Sequence, residues 1–335
     1  MTSRRAVIAL AIALVTAAGL VAGWEWVWRE RGYSPQLSDD KDLWARFRQR
    51  ASTLPPERTL TVIGASRIQL GWSSATFEQA MPGWQSVSLA INGHYPLAVL
   101  DDLAEDPRFA GTMLVSIDAR GLSRALADMS QVYVRHFRRN FGPQRRLERA
   151  LLDPLQQHLI TADARFNLVR RAAGLVDGHR PYRPYTRLLP DRTIEADFST
   201  PDLPALRAGF VGNLENYLNN NPPPDPDTWF SQLEPVFAAV QRIRQRGGEV
   251  VFVRMPTSGH YHRLFEKHYP RQRYWNRFSA AVDAPTIHFE DWPTLRSIDL
   301  PDDSHVDHSN RATITLALVK ALQQKHVLPG TDQIK

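Results

Sequence analysis

No cysteine occurs among the 335 residues. That excludes a disulfide scaffold, thiol catalysis and cysteine-ligated zinc or iron–sulfur sites. The chain also has no HExxH helix, Walker loop, dinucleotide fingerprint or internal repeat. Without a recognised metal or cofactor motif, neither a metal nor a cofactor is expected. Charge of one sign is in short supply as well: 41 basic against 35 acidic residues leave +6. Such a balance permits an anionic partner but is too small to point to nucleic acid. Apolar residues are plentiful, at 43% hydrophobic and 10% aromatic, which excludes a disordered chain. The length allows one large domain or two modest ones.

Arg4 and Arg5 precede an uncharged run of 18 residues, Ala6 to Gly23. As a helix it spans about 27 Å, close to the hydrocarbon thickness of a bilayer. Trp24, Trp26 and Trp28 follow at once, where indoles favour the headgroup zone. A cleaved signal peptide is the alternative: Val21-Ala22-Gly23 offers small residues for a cut, and Ser3-Arg4-Arg5 is similar to a twin-arginine signal. The run is longer than a signal's usual apolar stretch, so residues 1–29 are expected to be a retained single-pass anchor in the inner (cytoplasmic) membrane. The basic flank keeps the N-terminus cytoplasmic and sends the rest to the periplasmic or extracellular side.

Residues 30–57 read as a stalk, with a helical pattern around Leu43–Phe47 stopped by Pro55-Pro56. Thr59–Ile63, Ser86–Ile91, Thr112–Ile117, Glu249–Arg254 and Thr286–Phe289 read as strands. Between them, Ser73 or Ser74 caps a helix to Ala80, Pro96–Glu105 reads helical, Pro226–Gln245 is one long amphipathic pattern and Asn310–Gln324 is a final apolar helix. Strands alternating with helices predict an α/β fold, a parallel sheet covered on both faces, over residues 58–325, with a tail at 326–335. Residues 121–225 interrupt it. From Gln131 to Arg192 there are 13 arginines and five acidic residues, more net positive charge than the whole chain carries. Leu147, Leu151, Leu155, Phe166 and Val169 are spaced for helices, while Pro181–Pro190 and Asn219–Pro226 look like loops. This basic segment is either a solvated helical face or a surface for anionic lipid or an acidic glycan.

Two places carry chemistry. Gly64-Ala65-Ser66-Arg67 follows a strand directly, and in an open parallel sheet ligands gather at the strands' carboxyl ends. A serine opening a helix has backbone N–H groups beside its oxygen, useful for holding an oxyanion, although Gly-x-Ser after a strand is also an ordinary turn and cap. The second place is Asp302-Asp303-Ser304-His305-Val306-Asp307-His308, before the last helix. A serine becomes a nucleophile when an imidazole takes its proton, and a carboxylate must fix that imidazole's tautomer. Asp302 and His305 can supply both from one loop. His308 is the rival base, and the Asp/His-rich loop can equally be polar capping structure.

With these residues in view, the chain resembles the SGNH (GDSL-like) hydrolase and acyltransferase superfamily, in its membrane-anchored Gly-x-Ser-Arg variant. Ile63-Gly64-Ala65-Ser66-Arg67 is similar to the first block, Leu89-Ala90-Ile91-Asn92-Gly93 to the second and Asp302-x-x-His305 to the fifth. The resemblance implies a three-layer, flavodoxin-like parallel-sheet sandwich with an N-terminal transmembrane helix and a helical insertion. It implies Ser66 as nucleophile, His305 as base and Asp302 as its orienter, with the N–H groups of Ser66 and Gly93 as the oxyanion hole. The third block's Asn is absent: the strand ends Val115-Ser116-Ile117-Asp118-Ala119-Arg120. Asn92 or Arg67 is the expected substitute.

Substrate contacts are expected from Arg67, His94, Arg254 and His260. Relatives in this variant resemble the D-alanyl transfer protein of teichoic acid assembly and the alginate acetylation proteins, which work beside membrane-bound O-acyltransferases. The function implied is a serine acyltransferase or esterase acting on acyl groups of a cell-envelope polysaccharide or related glycan. A catalytically inactive partner of a membrane-bound O-acyltransferase and a GDSL-type lipase or esterase are the alternatives. Expected partners are the lipid bilayer, an acylated glycan or acyl donor, and a membrane-bound O-acyltransferase.

Overall fold

Five parallel strands form the central sheet: β1 (Thr59–Ile63), β2 (Gln85–Ser88), β3 (Thr112–Ser116), β6 (Glu249–Arg254) and β7 (Thr286–His288). Their spatial order is β2-β1-β3-β6-β7, paired in register at Val62 with Ser88, Val62 with Leu114, Ser116 with Val253 and Val253 with Ile287. Counted along this sheet alone the order is 2-1-3-4-5, a doubly wound arrangement whose direction reverses between β1 and β3. Crevices for ligands open there, at the strands' carboxyl ends. The structure is a computed structural model, and it describes residues 2–123, 126, 128–163, 166 and 184–330.

The helices, in chain order, are α1 (Thr2–Glu30), α2 (Lys41–Ala51), α3 (Ser66–Gly71), α4 (Ser74–Ala80), α5 (Leu97–Glu105), α6 (Asp128–Asn140), α7 (Pro143–His158), α8 (Leu203–Asn220), α9 (Pro226–Ser231), α10 (Glu234–Arg244), α11 (Gly259–His268), α12 (Trp275–Ala281), α13 (Pro293–Arg296) and α14 (Arg311–Gln324). A small antiparallel pair, β4 (Thr186–Leu188) and β5 (Ile194–Ala196), lies between α7 and α8 in the chain. The chain divides into two compact units: Met1–Asp39 with Pro143–Pro184, and Asp40–Gly142 with Tyr185–Lys335.

The sheet lies in the second unit. β1 is Thr-Leu-Thr-Val-Ile and is buried throughout, as is β3; β-branched runs fit a strand covered on both faces. On one face Leu60, Val62, Leu114, Val251, Val253 and Ile287 pack with Ile68, Trp72 and Phe77 and with Ile314, Leu318 and Leu322 of α14. Each such side chain removed from water contributes about 1.5–3 kcal/mol. On the other face Phe252 meets the Phe278 ring edge-on at 5.0 Å, and Phe237 stacks on Phe278 at 6.2 Å. Caps set the helix starts: Ser73 Oγ accepts the Thr76 N–H of α4, and Asp40 accepts the Leu43 N–H of α2.

Two expectations change. Pro226–Gln245 is not one helix but α9 and α10, because Pro235 has no N–H and its ring crowds the carbonyl four residues back. Pro181–Pro190 is not all loop: Thr186–Leu188 pairs with Ile194–Ala196 across a turn in which Arg192 takes a positive φ of 65°. Residues 181–183 and Val169 lie outside the described residues. In the first unit, α1 is a continuous helix, long and apolar enough to cross a membrane.

Candidate active site

Gly64 ends β1 where no side chain fits. A Cβ there would lie 2.7 Å from the Ser116 Cβ and 3.0 Å from the Ser116 carbonyl oxygen. That close approach to β3 lets the chain turn at once into α3, whose first residue is Ser66. The Ser66 N–H therefore has no intrahelical acceptor. The far end of α3 is fixed by Arg311 of α14, which donates from Nε to the Leu70 carbonyl (3.1 Å) and from Nη2 to the Trp72 carbonyl (2.6 Å).

His305 arrives on the loop before α14. Its Nε2 lies 2.8 Å from Ser66 Oγ, and its Nδ1 lies 2.8 Å from Asp302 Oδ2. One tautomer satisfies both: Nδ1–H donates to the carboxylate, and Nε2 accepts from the hydroxyl. Asp302 Oδ1 also accepts the backbone N–H groups of Ser304 (2.9 Å) and His305 (2.6 Å), so the loop folds round its own carboxylate. Burial would raise the Asp302 pKa, but the hydrogen bond and charge of His305 hold it below the usual carboxylate range. Asp302 and His305 are buried. The Phe210 ring lies 5.0 Å from the imidazole.

A cavity of about 310 Å3 opens beside this relay. Ser66, Arg67, Gly93, Asp118, Arg120, Arg254 and His305 line it, together with Tyr95, Tyr261 and Met255. Arg67 bridges its parts, donating from Nε to Ser304 Oγ (3.0 Å) and from Nη1 to Asp118 Oδ2 (3.2 Å), with its guanidinium 5.0 Å from the Tyr261 ring centre. Burial favours the neutral acid for Asp118, yet the positive charges of Arg120, Arg254 and Arg67 pull its pKa down. Burial pushes Tyr95 upward, so its hydroxyl stays protonated; it accepts from Arg120 Nε at 2.7 Å. Burial lowers the pKa of Arg254, whose Nη1 donates to the Met255 carbonyl and Nη2 to Thr257 Oγ1.

Of the residues singled out by sequence, Ser66, Asp302 and His305 converge, and Gly93, Arg67 and Arg254 reach the cavity wall. Gly93 takes φ +73°, and its N–H donates to no backbone carbonyl among the described residues. Asn92, His94 and His260 are not brought to the wall. Asn92 is exposed, and its carbonyl engages His94 Nδ1 at 2.8 Å. His260 is exposed in the first turn of α11, its backbone N–H bound to Asp303. His308 is engaged elsewhere, its Nδ1 lying 3.2 Å from the Ala196 carbonyl and 3.2 Å from Asp307 Oδ1.

Sequence reasoning missed the fourth side of the cavity. Phe210, Asn213, Leu214 and Tyr217 line it from α8, at the i, i+3, i+4, i+7 spacing of one helical face. That spacing was available in the sequence, but these residues fall inside the interruption of the α/β pattern. Arg120 was missed too; its guanidinium lies 4.9 Å from the Tyr217 ring centre.

No family model matches the chain, and no curated protein matches it. Among solved structures, the chain is similar to a provisionally assigned platelet activating factor from Streptococcus pneumonia, at 11% identity and a TM-score of 0.38, over 92% of this chain and 99% of that one. It is also similar to TesA, at 11% identity and a TM-score of 0.34, over 81% of this chain and 99% of that one.

Proposed function

We propose that this chain is a serine acyl-transfer enzyme, an O-acyltransferase or esterase, acting on acyl groups of a cell-envelope polysaccharide or related glycan. The observation that carries the reading is the continuous relay from Ser66 Oγ through the His305 imidazole to Asp302, each link 2.8 Å long. The relay opens on a cavity at the sheet's carboxyl end. His305 Nε2 takes the Ser66 proton as Oγ attacks the acyl carbonyl. The free N–H groups of Ser66 and Gly93 receive the oxyanion. Collapse expels the donor's alcohol, which takes the proton from His305 and leaves an acyl ester on Ser66. An acceptor hydroxyl then gives its proton to His305 and attacks that ester: a sugar makes the protein a transferase, water an esterase.

α1 is read as a retained anchor, with the N-terminus cytoplasmic and the second unit on the far side of the membrane. Its length, its apolar run and the tryptophans at its end support this. A membrane-bound O-acyltransferase is the natural source of acyl groups for a protein so placed.

The test is covalent labelling with a fluorophosphonate probe. The intact chain should label, Ser66→Ala should not, and Ser73→Ala should label as the parent does, since Ser73 serves only as the α4 cap. Absence of labelling in folded protein would overturn the enzyme reading. It would favour a non-catalytic partner of a membrane-bound O-acyltransferase, the reading that the missing Asn at the end of β3 supports.

A further inference from the structure

Helix α7 is inside out. Leu147, Leu151 and Leu155, at successive i, i+4 positions, are 62%, 64% and 49% exposed. Arg149, Asp153 and Gln156 on the opposite side are 2%, 1% and 4% exposed. A soluble protein's helix normally turns its leucines inward and its charges to water. Here Ala150 and Pro154 extend the outward apolar face, while Arg149 and Asp153 pair at 2.5 Å on the covered one. Gln156 Oε1 accepts the Ser38 N–H at 3.2 Å.

The other end of the same unit indicates what covers the leucines. Glu25 Oε1 accepts the Thr161 N–H (2.7 Å) and hydroxyl (3.0 Å), and Arg29 Nη2 donates to the His158 carbonyl (2.8 Å). The Trp28 ring meets Phe166 at 5.0 Å and Tyr33 at 5.4 Å. The C-terminus of α7 is therefore bolted to the last turn of α1, beside Trp24, Trp26 and Trp28, the depth at which indoles sit in headgroups. The apolar residues of α1, from Val7 to Val21, are exposed like those of α7. Arg145 and Arg146, exposed in the turn before Leu147, put positive charge at this end of the helix, which suits anionic lipid.

We infer that α7 is a second membrane contact: an interfacial helix lying in the headgroup zone of the bilayer that α1 crosses, with Leu147, Leu151 and Leu155 inserted among the acyl chains. The occupant of this face is lipid. The inference rests on reading α1 as a retained anchor, and the experiment separates the two.

Because the chain has no cysteine, single substitutions give unique labels. Leu14→Cys, Leu151→Cys and Arg145→Cys, each carrying an NBD fluorophore, are compared in vesicles of phosphatidylethanolamine and phosphatidylglycerol. The expected result is that position 14 is quenched by nitroxides deep in the acyl chains. Position 151 is quenched several-fold more by headgroup-level nitroxides than position 145, which aqueous iodide reaches instead. Quenching at 14 with an aqueous signal at 151 overturns the interfacial helix and leaves the anchor standing. An aqueous signal at 14 overturns both. A label at 151 shielded from iodide and lipid nitroxide alike means that protein covers the face, and also overturns the inference.

Discussion

Asp118 and Arg67 form an ion pair of 3.2 Å at the wall of the cavity, with the carboxylate almost wholly withdrawn from water. Asp118 is the acid facing three guanidinium groups, those of Arg67, Arg120 and Arg254. Removing it leaves those charges buried together. Asp118→Ala should lower stability by about 3–5 kcal/mol, the usual result of breaking a buried pair from one side. Asp118→Ala combined with Arg67→Leu should recover part of that loss in urea unfolding. Additive losses would contradict the coupling.

Asp302→Asn keeps the size of the side chain but turns an acceptor of the His305 Nδ1–H into an amide. A rate loss of about 10³–10⁴ is expected on an acyl ester, with little change in KM. The same residue has an acid signature. Because its folded pKa is depressed, it stabilises the fold above the unfolded carboxylate value and loses that contribution as pH falls towards the folded value. Denaturation midpoints of the parent should therefore fall more steeply below about pH 4 than those of Asp302→Asn. Parallel curves would contradict the assigned environment.

Asn213 of α8 brings a side-chain amide to the cavity that the end of β3 lacks. If it supplies the third oxyanion donor, Asn213→Ala should cut kcat by about 10²–10³. Fluorophosphonate labelling of Ser66 would persist at a reduced rate. An unchanged kcat would remove Asn213 from the oxyanion hole.

His288 is pushed down to about 2, first by burial and then by the charges of Arg254 and Arg271, despite Glu290 at 3.5 Å. Its neutral Nδ1 accepts the Glu290 N–H. Below the unfolded value of about 6.5 the unfolded chain takes up a proton that the folded one refuses. Stability should fall with pH from there, by about 2 kcal/mol between pH 6.5 and 5 at full effect. His288→Asn should flatten that slope in chemical denaturation at each pH; equal slopes would refute it.

Gly259 takes φ +55°, and a Cβ would lie 2.2 Å from Asp303 Oδ2. Asp303, itself at φ 67°, accepts the His260 N–H at 3.0 Å, and its carbonyl accepts the Ser258 N–H. Gly259→Ala should cost about 1–2 kcal/mol from the left-handed backbone and should also lower kcat, because Asp303 begins the turn that carries His305. A stability loss with kcat intact would show that this turn does not depend on Asp303.

The strands were legible because β-branched runs buried on both faces look alike wherever they occur, and Thr59–Ile63 and Glu249–Arg254 match residue for residue. Ser66, Asp302 and His305 were legible as residues in positions, one after a strand and two at i, i+3 before a helix. Their meeting was legible only through the family resemblance, since no local pattern encodes a contact across 239 positions. The α8 wall stayed hidden for a related reason: Phe210 and Asn213 have ordinary helical spacing, and only the tertiary packing turns that face toward His305. The leucines of α7 were read correctly as helical. Amphipathic spacing, however, says which residues share a face and not whether protein or lipid receives it.

Helix α14 also grips the far end of α3. Arg311 holds the carbonyls of Leu70 and Trp72 at the end of α3, so the segment that carries His305 also fixes the one that carries Ser66. The Ser66 hydroxyl thus gains its imidazole partner and the anchored end of its own helix from one and the same stretch of chain. A chain cut before Asp302 should lose both at once, the imidazole beside Ser66 and the grip on the end of α3.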